Sequence, residues 1–222
     1  MKLVELREKY DELQLKYGDP TLDSIYNGGC EDNPDIMFVF MNPTGRNVAA
    51  NKSWQGLKAP WIGTKNIWDL FDAVGLIDTD IYARIKGKKG SEWTCEFAQE
   101  VYDDVAKHRF FINNLGKCTQ TDARALPDFI YLQYLDYLKK EIVEVNPRVV
   151  ILFGNQVSSI VLGENISVSK SRKREYELDI DGKKFKCFSV FYPVGNGRFN
   201  IDKSIEDIKW IQENVLKDEV VS

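Results

Sequence analysis

The 222-residue sequence contains a single histidine, His108, and this scarcity excludes several kinds of site. A histidine-rich metal site cannot form, and a Ser-His-Asp or Cys-His arrangement would have to use this one residue. His108 stands directly before an apolar stretch, and no nucleophile-elbow pattern surrounds it. The sequence therefore predicts a partly exposed side chain at the start of a strand in preference to a catalytic base.

Cysteine is also scarce, and its spacing disfavours a metal or redox centre. The cysteines form no C-x-x-C pair and have no histidine beside them, which disfavours zinc binding and thioredoxin-like chemistry. We expect Cys95, Cys118 and Cys187 to be small buried side chains. No run of 18 apolar residues occurs, and residues 1–18 mix charged side chains with leucines. These absences predict a reduced, cytoplasmic protein with no membrane span.

Neither acid nor base dominates the composition, since 34 acidic and 30 basic side chains give a net charge of −4. Together with 43% hydrophobic residues, this balance predicts one soluble globular domain over residues 1–222. It disfavours a protein that binds nucleic acid over its whole surface. The positive charge is concentrated, however, because residues 84–89 and 170–174 each carry four basic side chains. These clusters are either solvated loops or places that hold phosphate.

Short apolar runs alternate with helical patterns along the chain, and this alternation predicts the fold class. The continuous apolar run at 36–41 is typical of a strand buried on both faces, residues 109–115 and 148–153 predict two further strands, the latter also buried, and Asp181-Gly182 predicts a hairpin. Residues 1–18 predict an amphipathic helix packed on the domain. A long helix after Pro127 is expected to turn Phe129, Leu132, Leu135, Leu138, Ile142 and Val145 inward. We predict an α/β fold, a three-layer α/β/α sandwich with a mainly parallel central sheet.

Polar and aromatic residues follow the ends of several predicted strands. One strand ends in Asn42-Pro43-Thr44-Gly45, another in Asn113-Asn114, and the last runs into residues 192–198. Because the carboxyl ends of parallel strands meet at one edge, these segments should converge there. Amide side chains and an aromatic such as Trp61 suit a planar ligand such as a nucleobase. Taken singly, each of these residues also has a purely structural explanation. Asn42-Pro43 is an ordinary turn, Asn114 could cap or bridge strands, and Trp61 could pack in the core.

In combination, these segments resemble the uracil-DNA glycosylase superfamily over about residues 35–210. Members of that superfamily are α/β/α sandwiches that flip a base out of DNA and hydrolyse its glycosidic bond. The segment Met41-Asn42-Pro43-Thr44-Gly45 resembles the Asn-containing turn of the mismatch-specific and single-strand-selective branches, with Phe40 in place of a glycine. Pro60-Trp61-Ile62-Gly63 is similar to the P-F-x-G segment, and residues 111–118 are similar to Y-I-T-N-V-V-K-C.

The resemblance assigns roles to individual residues of this sequence. Asn42 would orient the attacking water, and Tyr192, in place of a histidine, would help the leaving base. Met41, Trp61 and Asn114 would bind the base, with Asn114 distinguishing uracil from cytosine. The expected DNA-binding residues are Thr44, Asn196, Arg198, Lys170, Arg172, Lys173 and Arg174.

The implied function is a monofunctional DNA glycosylase that removes uracil or a related deaminated or damaged base, with water as nucleophile. Several branches hold an iron–sulfur cluster, but only Cys118 stands at a matching position, so we expect no cofactor and no metal. The expected partner is single-stranded DNA or a mismatched duplex, bound by a monomer. One alternative is a catalytically weak or inactive member that binds nucleic acid or nucleobases, since Phe40 and Tyr192 depart from the pattern. An unrelated nucleotide-binding α/β protein is disfavoured because neither G-x-G-x-x-G nor G-x-x-x-x-G-K-[ST] occurs.

Overall fold

The computed structural model describes residues 2–217, and its centre is a six-stranded sheet. The strand order is β1-β3-β2-β4-β6-β5. Strands β3, β2, β4 and β6 run parallel, whereas β1 and β5 are antiparallel edges. The predicted, mainly parallel sheet is therefore confirmed. The strands are β1 (Gly28–Gly29), β2 (Ile36–Phe40), β3 (Phe110–Asn114), β4 (Val149–Phe153), β5 (Glu175–Ile180) and β6 (Lys183–Val190).

Helices cover both faces of this sheet, as the predicted sandwich requires. Helices α2, α3, α4 and α8 pack on one face, and α1, α5 and α6 pack on the other. Along β2 the alternating side chains Phe38 and Met37 enter opposite cores, which explains the continuous apolar run. The helices are α1 (Leu3–Tyr17), α2 (Trp68–Ala73), α3 (Thr79–Gly87), α4 (Cys95–Lys107), α5 (Asp128–Val145), α6 (Asn155–Leu162), α7 (Val168–Ser171) and α8 (Ile201–Ile211).

The buried face of α5 differs from the predicted one in its first half. Phe129 and Leu132 are 57% and 53% exposed, whereas Tyr131 and Tyr134 are buried. The prediction was wrong there because it followed aliphatic and phenylalanine side chains, while the helix buries large tyrosine rings instead. The second half, with Leu138 and its successors facing the core, is confirmed. Tyr131 thereby reaches the edge where the strands end.

Several smaller predictions are also decided by the structure. His108 caps the carboxyl end of α4 with a half-buried side chain, two residues before β3, which agrees with the predicted partly exposed side chain near the start of a strand. Cys118 and Cys187 are buried as expected, but Cys95 is only half-buried because it begins α4 near the surface. No helix among residues 2–217 combines the length and apolar character needed to cross a bilayer.

Candidate active site

The carboxyl ends of β2 and β3 are joined into one edge, which we call the rim, formed by residues 40–45, 61, 114–120 and 190–198. Backbone hydrogen bonds connect the two loops: Leu115 N donates to Phe40 O and Gly116 N to Met41 O, both at 2.8 Å. On the other side of β2, Gly154 N donates to Val190 O at 2.8 Å. The predicted convergence of the strand ends is therefore confirmed.

Asn42 lies half-buried on the rim, and its side-chain amide is held at both ends. Its Oδ1 accepts a hydrogen bond of 2.7 Å from the Tyr131 hydroxyl, and its Nδ2 donates to Pro43 O at 3.2 Å. Tyr131 is fully buried on α5, and burial raises the pKa of its phenol. The contact joins residues 89 positions apart. Sequence reasoning missed Tyr131, and the repeat of Tyr131 and Tyr134 on one helix face was the available signal.

Phe40 stands at the centre of an aromatic cluster on the rim. Its ring is fully buried, stacks on Phe153 with 4.4 Å between centroids, and meets the edge of Trp61 at 5.0 Å. The Tyr192 ring lies 6.2 Å from it in an edge-to-face arrangement. Two predicted site residues, Trp61 and Tyr192, therefore both contact the ring of Phe40.

Polar groups around the Phe40 ring lack hydrogen-bond partners within residues 2–217. Asn114 aligns with Phe40 across the sheet, is 2% exposed, and makes hydrogen bonds through its backbone but not through its amide side chain. The indole N–H of Trp61 is buried without a partner. Burial also raises the pKa of Tyr192, whose hydroxyl is hydrogen-bonded to none of the described residues. Buried polar groups are normally paired, so the unpaired indole N–H of Trp61, close to Asn114 and the half-buried Tyr192, suits the binding of a polar ligand.

The backbone conformation of Trp61 is a second feature that is typical of a ligand-binding site. Its φ is +69°, in the left-handed region that a bulky residue rarely adopts. Such strain costs of the order of 1–3 kcal/mol and is concentrated in ligand-binding and active sites. Thr64 stabilises the turn by donating from its backbone N–H and its hydroxyl to Trp61 O. The turn directs the indole toward Phe40.

A buried ion pair fixes the loop that follows Asn114. Lys117 Nζ lies 3.1 Å from Glu141 Oε2, and their side chains are 1% and 0% exposed. Lys117 also donates to Asn114 O at 2.6 Å, while Asn113 Nδ2 donates to Glu141 at 2.7 Å. Burial lowers the pKa of Lys117, and the nearby Glu141 carboxylate opposes that effect. Asn113 and Asn114 thus differ: the first is bound into the core, and the second faces the rim.

Met41 and Thr44, both predicted site residues, lie apart from the aromatic cluster. Met41 packs against the core on the α5 side of the sheet, away from Trp61. Thr44 is half-buried and pairs with Gln120 in an isolated bridge. The structure therefore separates Met41 from the other residues expected to bind a base.

Residues 195–200 form a 3-10 helix at the mouth of the rim. Asn196 and Arg198 are exposed, and Arg198 Nη2 lies 3.2 Å from Asp69 Oδ2. Asp69 also accepts from Lys86 at 2.6 Å, so the basic cluster of residues 84–89 reaches this edge. Phe199 is 94% exposed, and sequence reasoning missed it. An isolated, exposed phenylalanine beside basic groups suits contact with bases or apolar surfaces.

The basic segment 170–174 also lies on this edge, because Glu175 of β5 aligns with Phe188 near the end of β6. Arg172 is not a free charge: its Nη2 lies 2.9 Å from Oδ1 of the fully buried Asp207. Lys173 Nζ pairs with Glu206 at 2.5 Å. Lys170 and Arg174 are exposed and have no acidic partner among the described residues. Arg172 therefore links α7 to α8, and two of the four predicted DNA contacts remain unpaired.

One group of potential metal ligands lies at the opposite edge of the sheet. Atoms of Asp78, Asp104 and His108 lie within 4.8 Å of one another. The Lys107 ammonium hydrogen-bonds Asp78 at 2.5 Å and holds the pKa of that carboxyl below its usual value. His108 Nδ1 lies 2.9 Å from Asp104 O. The group joins the start of α3 to the end of α4 and is remote from the rim.

Comparison with known families gives one match. The family model described as the uracil DNA glycosylase superfamily matches residues 27–209, more than four fifths of the chain. The matched region runs from β1 into α8 and includes every segment of the rim. Helix α1 lies outside it.

Proposed function

Since the chain belongs to the uracil-DNA glycosylase superfamily, whose function at the family level is that of a DNA glycosylase, we propose that it hydrolyses the N-glycosidic bond of uracil or a related deaminated or damaged base in DNA. The observation that carries the proposal is the Asn114 side-chain amide, which makes no hydrogen bond to a described residue and lies at the strand end next to Phe40, the ring that Trp61 and Tyr192 both contact. A planar ligand with alternating donors and acceptors would satisfy these groups together.

In the proposed reaction, water attacks the sugar carbon while the bond to the base nitrogen breaks and its electron pair leaves with the base. The attacking water releases one proton to solvent and becomes the hydroxyl of the abasic sugar. An amide is a poor general base, so Asn42 contributes by orienting the water through Oδ1. The Trp61 and Tyr192 donors would stabilise negative charge on the departing base, which is later protonated by solvent. A phenol that burial keeps protonated is suited to this donation.

The proposed base selectivity follows from the Asn114 amide. Its N–H can donate to a carbonyl oxygen, and its own oxygen can accept from a ring N–H, which is the pattern of the uracil edge. Cytosine presents the reverse pattern at the corresponding positions. Because the Lys117 ammonium holds the Asn114 carbonyl, the strand end is rigid, and the discrimination does not depend on a mobile loop.

The proposed substrate is single-stranded DNA or a mismatched duplex, bound along the basic edge. Lys170, Arg174 and Arg198 lie at this edge together with Asn196. They would position the backbone and would not identify the base. A monomer that needs no cofactor remains our expectation, to be measured by sedimentation and metal analysis of the purified protein.

A second candidate, a binding module without hydrolase activity, is favoured by one specific observation. The fully buried Phe40 ring contacts both Trp61 and Tyr192, so a base that is to contact these two side chains must displace that ring. Tight, salt-dependent binding of oligonucleotides without any abasic product would support this candidate.

The deciding experiment incubates the protein with oligonucleotides that contain uracil, hypoxanthine or xanthine, single-stranded or mismatched, and measures abasic sites by alkaline strand cleavage. Asn42→Ala and Asn114→Ala should lose most activity; Asn114→Ala should keep the wild-type melting temperature, whereas Asn42→Ala should lower it because the buried Tyr131 hydroxyl loses its partner. Asn113→Ala is the matched control, because it should lower the melting temperature by removing a donor from the buried Glu141. The enzymatic proposal fails if the wild-type protein produces no abasic sites from any of these substrates.

A further inference from the structure

The hydrogen bond between Tyr131 and Asn42 points to a function for a residue on α5. Tyr131 donates from its hydroxyl to Asn42 Oδ1 at 2.7 Å, and its side chain is fully buried. A buried phenol normally has a polar partner, and here that partner is the amide at the centre of the rim. The helix therefore contributes directly to the geometry of the site.

The absence of a side chain at Gly116 leaves room for the Tyr131 phenol to reach Asn42. Gly116 lies between them: a Cβ at this position would come within 3.1 Å of Tyr131 Cε1 and 3.4 Å of Asn42 Cβ. Its backbone N–H is bound to Met41 O, so the loop cannot easily yield to a larger side chain. A residue other than glycine would displace the ring or the amide.

Without the phenol, little would fix the orientation of the Asn42 amide. The terminal torsion of asparagine is broad, and its oxygen and nitrogen ends have nearly the same shape. The other contact of the amide is a 3.2 Å donation to the carbonyl of the next residue. An amide rotated by half a turn would present N–H groups where an acceptor for water is needed.

We propose that Tyr131 is a positioning residue, which holds the Asn42 amide so that the free lone pair of Oδ1 faces the attacking water. The inference rests on the proposed glycosylase function and adds a residue to it. Burial raises the pKa of Tyr131, so the phenol remains a donor throughout the neutral range. Tyr131 contacts neither water nor base in this scheme, and it acts through Asn42.

The test compares Tyr131→Phe with Tyr134→Phe. Tyr134 is one turn further along the same face and is equally buried, and its hydroxyl makes no hydrogen bond to Asn42, so its loss leaves Asn42 unchanged. In single-turnover cleavage of a uracil oligonucleotide, we expect Tyr131→Phe to be about tenfold slower, the loss typical of one hydrogen bond, with oligonucleotide affinity within about twofold. Tyr134→Phe should retain the wild-type rate.

A second measurement separates this inference from the proposed function. In ¹⁵N-labelled protein, the side-chain amide resonances of Asn42, identified by their loss in Asn42→Ala, should shift in Tyr131→Phe and remain in place in Tyr134→Phe. Equal cleavage rates for the two phenylalanine variants would overturn the inference, as would unchanged resonances. If the wild-type protein is inactive, the proposed function fails, and the resonances still decide whether Tyr131 holds the amide.

Discussion

Replacing Phe40 with alanine removes a six-membered ring, similar in size to a pyrimidine, from the centre of the rim. The ring is fully buried against Phe153, Trp61 and Tyr192, so its loss leaves a cavity bordered by the unpaired groups of the site. Cavities of this kind bind small aromatic molecules that match their shape. We expect Phe40→Ala to bind free uracil more tightly than the wild-type protein does.

The loss of folding stability in Phe40→Ala can be separated from its expected gain in uracil binding. Truncation of a buried phenylalanine destabilises a domain by about 3–5 kcal/mol. Phe38→Ala is the matched control, because Phe38 lies on the same strand and face, is equally buried, and contacts the deeper rings Phe71 and Phe110. Both variants should therefore unfold at similarly lower urea concentrations, and only Phe40→Ala should respond to the base.

The assay is thermal unfolding with and without uracil. A ligand at ten times its dissociation constant stabilises by about 1.4 kcal/mol, and for a domain of this size that raises the melting temperature by about 3–5 °C. Cleavage of uracil oligonucleotides by Phe40→Ala should also increase by at least about tenfold if access limits the wild-type enzyme. An equal thermal shift in Phe38→Ala, or none in Phe40→Ala, would show that Phe40 does not occupy the position of the base.

Three further predictions concern the basic edge. The double variant Lys170→Ala, Arg174→Ala should weaken single-strand binding and reduce the salt slope of log Kd by about 1.5, with the melting temperature unchanged; a slope equal to that of the wild type would exclude these two side chains from phosphate contact. Phe199→Ala should lower affinity about tenfold through lost stacking, measured by fluorescence anisotropy, and an unchanged affinity would refute this contact. Hydrogen bonding by Lys173 lowers the pKa of Glu206 from 4.5 to about 2, so this carboxylate stabilises the fold above pH 4.5 and loses its effect as the pH falls toward 2. The melting temperature of Glu206→Gln should therefore lie below that of the wild type at pH 6 and converge with it near pH 2.

The sheet and the location of the rim could be predicted from the sequence because both depend on local patterns. Strands buried on both faces are continuous apolar runs, and parallel strands place their carboxyl ends together. The motif around Asn42 and the one around Asn114 each follow such a run, so their convergence follows from the fold class. Trp61 does not follow a strand, and its place in the same site as Tyr192 was predicted by the resemblance to the superfamily.

The side-chain contacts within the site were harder to predict from the sequence. They join segments that are distant along the chain, or they bury residue types that are usually exposed. Tyr131 was not predicted to be buried, since aliphatic residues on α5 suggested a different face. Lys117 and Glu141 form a buried pair, although charged residues are seldom buried. Arg172 was predicted as a DNA contact, but its buried partner Asp207 lies 35 residues away.

By itself the sequence determined the α/β class, the superfamily and the segments that form the rim, since periodicity and motif spacing are properties of neighbouring residues. Only the tertiary structure decided which side chains within those segments are free. It placed the Phe40 ring against both Trp61 and Tyr192, left the Asn114 amide without a hydrogen bond to a described residue, and connected Asn42 to Tyr131. The physical reason is that a side chain's availability depends on what packs against it, and packing is set by helices that are remote in sequence.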